Sequence, residues 1–273
     1  MRILHDPSEM AAEAATLRAR GARVGFVPTM GYLHRGHTSL LERTRPRCDV
    51  LVASIYVNPL QFGPNEDLSR YPRDFEGDAR ACAAAGCDLL FAPDSLYPPG
   101  FRTSVHVADL TTRWEGAARP GHFDGVATVV ARLFGLVQPT IATFGEKDFQ
   151  QLAVIRAMTR DLALPVEIVG APLVRDDDGV ALSSRNVFLS ASDRARARTL
   201  HQALHVVRDH PSADATARLE AGRAALDCDA LDYLALVDPD TLEPVTLVDR
   251  PLRAIATARY GAVRLLDNVA VPA

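Results

Sequence analysis

Two histidines three residues apart, His34 and His37, stand in the run Pro28-Thr29-Met30-Gly31-Tyr32-Leu33-His34-Arg35-Gly36-His37. Imidazole N–H groups at this spacing can donate to phosphate oxygens and stabilise the charge that builds up when pyrophosphate leaves. The same spacing suits a zinc pair or two capping side chains, but no third Cys or His ligand is evident close by in the sequence. Gly31 and Gly36 permit close backbone approach. A helix starting here would offer an anion its unpaired N–H groups and the positive end of its dipole.

Three other segments carry groups of the same kind. In Phe144-Gly145-Glu146-Lys147-Asp148, followed by Gln150 and Gln151, Lys147 is a compact cation suited to phosphate. Asp148 suits magnesium or a ribose hydroxyl, although a Glu-Lys-Asp triplet alone also reads as a solvated helix start. Leu182-Ser183-Ser184-Arg185-Asn186 places two hydroxyls beside a guanidinium, as either a clamp closing over a triphosphate or an ordinary turn. Val57-Asn58-Pro59-Leu60-Gln61-Phe62-Gly63 offers the Gln61 amide, which donates and accepts at once and suits a substrate with both hydroxyl and carboxylate; a loop anchor is its plain alternative. Neither a Walker A motif nor GxGxxG occurs.

The elements that must position these groups follow from the hydrophobic pattern. Strands are expected at 24–27, 50–57, 88–91, 140–144 and 166–169. Helices should run from the first strand to about 45, over 75–85, over 125–137 and over 148–162. Continuously apolar strands alternating with helices imply a parallel sheet covered on both faces, an α/β, Rossmann-like doubly wound fold. The histidine motif then lies at the first strand-to-helix turn, the usual phosphate position of such a sheet. The irregular stretches 58–74 and 97–124 are too long for simple connectors and are expected to cover the site. After the Asp176-Asp177-Asp178-Gly179 turn the texture changes, and Ser190 with Asp193 forms a helix N-cap box. The expected domains are 1–174, Rossmann-like, and 175–273, a smaller C-terminal α+β lid domain with strands at 233–237 and 254–258.

Composition bounds the function. With 48% hydrophobic and 23% charged residues among 273, the chain can close a core. A net charge of −4 gives no global basic field, so no nucleic-acid partner is expected. No segment resembles a signal peptide or an apolar membrane span, which predicts a cytoplasmic protein with no membrane partner. Cys48, Cys82, Cys87 and Cys228 are scattered, without CxxC spacing, and are expected to be reduced.

Taken in order and spacing, these four segments resemble the pantothenate synthetases, members of the HxGH nucleotidyltransferase superfamily. Glu115-Gly116-Ala117-Ala118-Arg119-Pro120-Gly121-His122-Phe123-Asp124-Gly125-Val126 and Arg264-Leu265-Leu266-Asp267-Asn268 extend the likeness over nearly the whole chain. The resemblance implies condensation of pantoate with β-alanine through a pantoyl-adenylate, using ATP and Mg2+ and releasing AMP and pyrophosphate. It implies that His37, His34, Lys147 and Arg185 are catalytic. Met30, Gly31, Tyr32, Leu33, His34, Arg35, Gly36, His37, Gly145, Glu146, Lys147, Asp148, Val174, Leu182, Ser183, Ser184 and Arg185 would line ATP, with Arg35 at a variable position and given no role of its own. Gln61, Gln151, Asn58 and Arg119 would hold substrate, Asp148 would meet the magnesium, and the protein would be a homodimer. Two other readings remain open: a nucleotidyltransferase that leaves the adenylate on its product, and a nucleotide-binding regulatory module.

Overall fold

Residues 24–29 and 50–55 are apolar at nearly every position, and strands of that kind need cover on both faces. The computed structural model describes residues 1–64 and 66–273, so that Asn65, within the expected loop 58–74, lies outside the described residues. The first of two units comprises Met1–Glu146 and Gln151–Pro172. Its elements are β1 (Arg2–Leu4), α1 (Pro7–Ala19), β2 (Val24–Thr29), α2 (Arg35–Thr44), β3 (Val50–Ile55), α3 (Phe75–Ala84), β4 (Leu89–Phe91), α4 (Trp114–Ala118), α5 (His122–Val137), β5 (Ile141–Gly145), α6 (Phe149–Asp161, whose first two residues fall in the second unit) and β6 (Glu167–Ala171). The six strands form one parallel sheet in the order β1-β4-β3-β2-β5-β6.

From β2 the chain winds through β3 to β4, then crosses to β5 on the other side of β2 and continues to β6. The winding direction therefore reverses between β2 and β5. Ligands of open α/β sheets bind beyond the strand carboxyl ends at such a reversal. Thr29 ends β2 and Gly145 ends β5, so the histidine motif and the Glu146-Lys147-Asp148 turn both leave the sheet at this point.

Neighbouring residues along each strand divide between two cores, as the two-residue period of a strand requires. Phe26, Val52, Leu89 and Phe91 pack with Met10 and Leu17 of α1 and with Leu133 and Phe134 of α5. Val27, Leu51, Ala53 and Leu90 pack instead with Leu40 and Leu41 of α2 and Cys82 of α3. Each large side chain buried this way stabilises the fold by about 1.5–3 kcal/mol. α2 can lie close on β2 because Gly25 has no side chain: a Cβ there would stand 2.6 Å from Cys48 Sγ and 2.7 Å from Thr44 Cγ2. Thr44 Oγ1, buried at the end of α2, donates to Thr143 Oγ1 of β5 at 2.7 Å.

The second unit comprises Lys147–Gln150 and Leu173–Ala273. It contains α7 (Ala191–Asp209), α8 (Ala215–Ala224) and an antiparallel sheet, β7 (Ala230–Val237), β8 (Leu252–Tyr260) and β9 (Val263–Val271), in that order. Leu200, Leu204 and Val207 recur at helical spacing along α7 and pack with Leu234, Leu236, Ala254, Ala256 and Tyr260 of the sheet. The predicted cap is present: Ser190 Oγ accepts Asp193 N at 3.1 Å.

Candidate active site

The histidine loop is held by groups that satisfy its backbone. Gly31 and Tyr32 both adopt positive φ, +85° and +54°, conformations that leave successive N–H groups pointing away from any helix or ladder. Asp78, buried in α3, takes two of them: Tyr32 N at 2.8 Å on one oxygen and Leu33 N at 2.6 Å on the other. Burial raises the Asp78 pKa, opposed by those two N–H donors. Thr29 Oγ1 bridges the Ser54 carbonyl at 2.8 Å and Gly31 N at 3.2 Å, tying the loop to the ends of both β2 and β3.

His34 is the N-cap of α2, its Nδ1 accepting Gly36 N at 3.1 Å. His37 Nδ1 accepts His34 N at 3.3 Å, and the ring centroids stand 4.1 Å apart. A ring nitrogen that accepts cannot carry the proton, so each neutral imidazole keeps its N–H on Nε2. The two side chains thus satisfy the helix start with one nitrogen and present a donor with the other. An N-terminus carrying two oriented imidazole donors suits an anion.

A second constellation surrounds Gln61. Asn58, 1% exposed, donates through Nδ2 to Gln61 Oε1 at 3.0 Å and to the Gly125 carbonyl at 3.0 Å, while its Oδ1 accepts Tyr97 Oη at 2.8 Å. Gln61 Oε1 is therefore engaged, and the amide turns its Nε2 toward Met30 Sδ, 3.2 Å away. Met30 and Gln61, placed by the sequence on ATP and on substrate, are brought into contact. The Gln61 carbonyl accepts His122 Nδ1 at 2.9 Å and Arg119 Nη2 at 3.2 Å. α5 reaches the turn only because position 125 is glycine; a Cβ would lie 2.2 Å from the Leu60 carbonyl oxygen.

Arg119 directs its donors to protein acceptors. Nε and Nη2 grip Glu66 at 2.7 and 2.6 Å, and Nη1 reaches Glu115 at 3.5 Å and His122 Nε2 at 3.1 Å. Burial, then Arg119, depress the His122 pKa to about 4, so the ring stays neutral with its proton on Nδ1. Burial works against the Glu66 carboxylate, but the Arg119 hydrogen bonds prevail and its pKa is lowered. Burial, then Tyr56, push the Tyr97 hydroxyl upward. Gln151 stands half-buried in the first turn of α6.

In the second unit, Lys147 Nζ lies 3.5 Å from Asp148 Oδ1, with the lysine side chain 21% exposed. Asn268 Nδ2 donates to the Lys147 carbonyl at 2.9 Å. Val174 and Leu182 face each other across a short antiparallel hairpin, Leu182 N donating to the Val174 carbonyl at 3.0 Å beside the Arg175–Ala181 bridge. Ser183 Oγ caps the turn Ser184–Phe188 by accepting Arg185 N at 3.3 Å, and Asn186 Nδ2 holds the Ala181 carbonyl at 3.0 Å. Among the described residues no group of three or more His, Cys, Asp or Glu is placed to hold a metal.

Motif reading did not single out Asp78, Glu66, His122 or Tyr97, because a carboxylate serving backbone N–H groups 45 residues away leaves no local spacing to detect. One signal for Lys147 was present in the composition: it is the sole lysine among 30 Lys and Arg residues. With arginine at every other Lys or Arg position, this is the one place where the chain carries a compact ammonium instead of a planar guanidinium.

The architecture is that of a doubly wound α/β domain with an anion-suited helix start at its topological switch, joined to a small α+β unit. A family model described as Pantoate-beta-alanine ligase matches residues 2–270. The pantothenate synthetase of Rhizorhabdus wittichii is 53% identical, over 99% of each chain, and that of Thermus thermophilus is 54% identical over 94% of this chain and 97% of its own. The crystal structure of the Thermus thermophilus enzyme superposes with a TM-score of 0.93 at 51% identity, covering 98% of this chain and 99% of the other. The Francisella tularensis pantoate-beta-alanine ligase, solved with beta-gamma ATP and beta-alanine, gives 0.83 at 30% identity over 98% and 97%. The chain belongs to the pantoate-beta-alanine ligase family and is an enzyme of the ligase class.

Proposed function

We propose that this protein condenses pantoate with β-alanine in two steps at the mouth of the parallel sheet. The pantoate carboxylate attacks the α-phosphorus of ATP and expels pyrophosphate; the β-alanine amine then attacks the acyl carbon of pantoyl-adenylate and releases AMP. A carboxylate is a poor electrophile, and the mixed anhydride gives it a good leaving group. The observation that carries this reading is the paired-imidazole start of α2, where both Nδ1 atoms accept backbone N–H groups, which leaves each neutral ring its proton on Nε2. Donors preset in this way stabilise phosphate charge as it develops, without reorganisation. His37 and His34 act in that electrostatic role, aided by Lys147 and Arg185.

The remaining assignments follow the family resemblance and the local geometry. Residues 30–37, 145–148, Val174 and 182–185 line ATP, and Gln61 and Gln151 hold pantoate. With its Oε1 held by Asn58, Gln61 offers its NH2 to a substrate oxygen. Arg119 and His122 fix the Gln61 backbone from behind. Asp148, a single half-exposed carboxylate, fits a Mg2+ ion whose other ligands are phosphate and water, the usual mode for that ion. Such an ion neutralises triphosphate charge. By the family resemblance, the reading extends to a cytoplasmic homodimer.

The test is pyrophosphate release with ATP, pantoate and β-alanine, each omitted in turn. Pyrophosphate should need both ATP and pantoate, and multiple turnover with free AMP should also need the amine. AMP retained in a dinucleotide product, or no pyrophosphate with the full mixture, would overturn the assignment.

A further inference from the structure

The run Arg264-Leu265-Leu266-Asp267-Asn268 lies in the last strand and has so far no part in the chemistry. Asp267 and Asn268 are 3–4% exposed at the side chain or residue level, an unusual location for two polar side chains unless they are fully bonded. Their partners are specific. Asp267 receives Arg175 in a fork, Nη1 at 2.5 Å and Nη2 at 2.8 Å. Arg175 follows Val174 in the hairpin that leads to Ser183-Ser184-Arg185, and it also donates to the Gly179 carbonyl across that hairpin's turn at 3.1 Å. Asn268 donates from Nδ2 to the Lys147 carbonyl at 2.9 Å and accepts Arg253 Nε on Oδ1 at 2.7 Å. A donor-only partner on one side and an acceptor-only partner on the other leave its amide a single orientation. The Arg253 guanidinium, 4.5 Å from the Phe149 ring centroid, braces the same turn. Lys147–Gln150 belongs to the same unit as the C-terminal residues.

We propose that Asp267 and Asn268 are positioning residues of the ligase reaction: Asn268 sets the backbone of the lysine turn and Asp267 sets the hairpin that carries the Ser183–Arg185 clamp. Adjacent strand residues project to opposite faces, so one dipeptide of β9 serves two separate segments. The inference rests on the assignment of Lys147 and Ser183–Arg185 to the triphosphate. Neither side chain touches the reacting atoms in this role; both act through the backbone they hold.

Asn268→Asp is the discriminating change. It keeps size and strengthens the Arg253 contact, but turns a second acceptor toward the Lys147 carbonyl. At saturating substrates the variant should lose roughly tenfold or more in kcat, the scale on which misplacement away from the chemistry acts. In a Lys147→Ala background the same change should cost less than about twofold, because paired residues are non-additive. Asn268→Ala, which removes the donor without adding a repelling acceptor, should fall between wild type and Asn268→Asp, and carries the same cycle if the aspartate variant fails to fold. Asp267→Asn should raise the ATP KM roughly fivefold or more through loss of a buried charge partner, leaving the pantoate KM within about twofold. Wild-type kcat in Asn268→Asp, an equal loss in both lysine backgrounds, or equal KM changes for both substrates would overturn the proposal. Absence of ATP- and pantoate-dependent pyrophosphate release from the unaltered enzyme would instead overturn the functional reading on which it rests.

Discussion

Replacing Lys147 by arginine keeps the charge and follows the habit of a chain in which this is the sole lysine among 30 Lys and Arg residues. Two effects set the outcome, and their sizes differ. The ion pair with Asp148 spans 3.5 Å at a site open enough for solvent to screen it, so its loss or rearrangement changes stability by about 0.2–1 kcal/mol. For a chain of this length that is a shift in Tm of a few degrees, roughly 2–4 °C per kcal/mol. Loss of a preset donor to transition-state charge costs about 2.7–4 kcal/mol, or a hundred- to a thousandfold in kcat. A guanidinium is longer and planar, and it would pair with the neighbouring Asp148 carboxylate bidentately instead of delivering a point charge. With the Lys147 carbonyl fixed by Asn268, the backbone cannot retreat to accommodate the extra length. Pyrophosphate release at saturating ATP and pantoate should therefore fall at least about a hundredfold, while thermal unfolding monitored by circular dichroism stays nearly unchanged. Turnover within threefold of wild type would refute the idea that a compact ammonium is required.

Asp78→Asn should raise the ATP KM by roughly tenfold, because the amide can accept from only one of the Tyr32 and Leu33 N–H groups and turns a donor on the other; unchanged ATP kinetics would remove Asp78 from the argument. Gln61→Ala should raise the pantoate requirement far more than that for ATP, and equal effects on both would count against the placement of pantoate. His122, with a pKa near 4 in the fold against about 6.5 unfolded, gives the unfolded state more bound protons between those values. Stability should thus be complete above about pH 6.5 and decline by roughly 3 kcal/mol on going down to pH 4, and His122→Gln should flatten that slope in urea midpoints; an identical slope in the variant would show that other groups set it.

Much of the fold could be read directly because β2, β3, β5 and the strands beside them are apolar on both faces, which only a covered parallel sheet explains. The limits of elements were less legible. Residues 50–57 form a strand only to Ile55 because the chain then turns, with Asn58 capping the turn Pro59–Gln61. α5 begins at His122, three residues before the expected start, because Gly121 at φ +80° admits the turn and Gly125 serves close packing, not chain breaking. β1 is three residues long and too short to show a period. α1 buries Met10, Ala14 and Leu17 at helical spacing, but its alanine-rich sequence dilutes the contrast between faces. β9 shows in the sequence only as a family-like run, since the reason for its polar residues lies in partners distant along the chain. The same holds for the site: motifs point to the groups proposed to meet substrate, whereas Asp78, Glu66 and Tyr97 are set by partners 39–53 residues distant.

An ε-amine is the usual anchor when proteins are crosslinked, fixed or tethered to activated supports. This sequence offers such reagents one lysine side chain, in the turn after β5. Beads coupled through lysine should therefore hold the protein at Lys147, where coupling would block the proposed triphosphate contact. Coupling in the presence of ATP should lower the amount captured, so the yield of lysine-coupled material would report how well the nucleotide shields that single side chain.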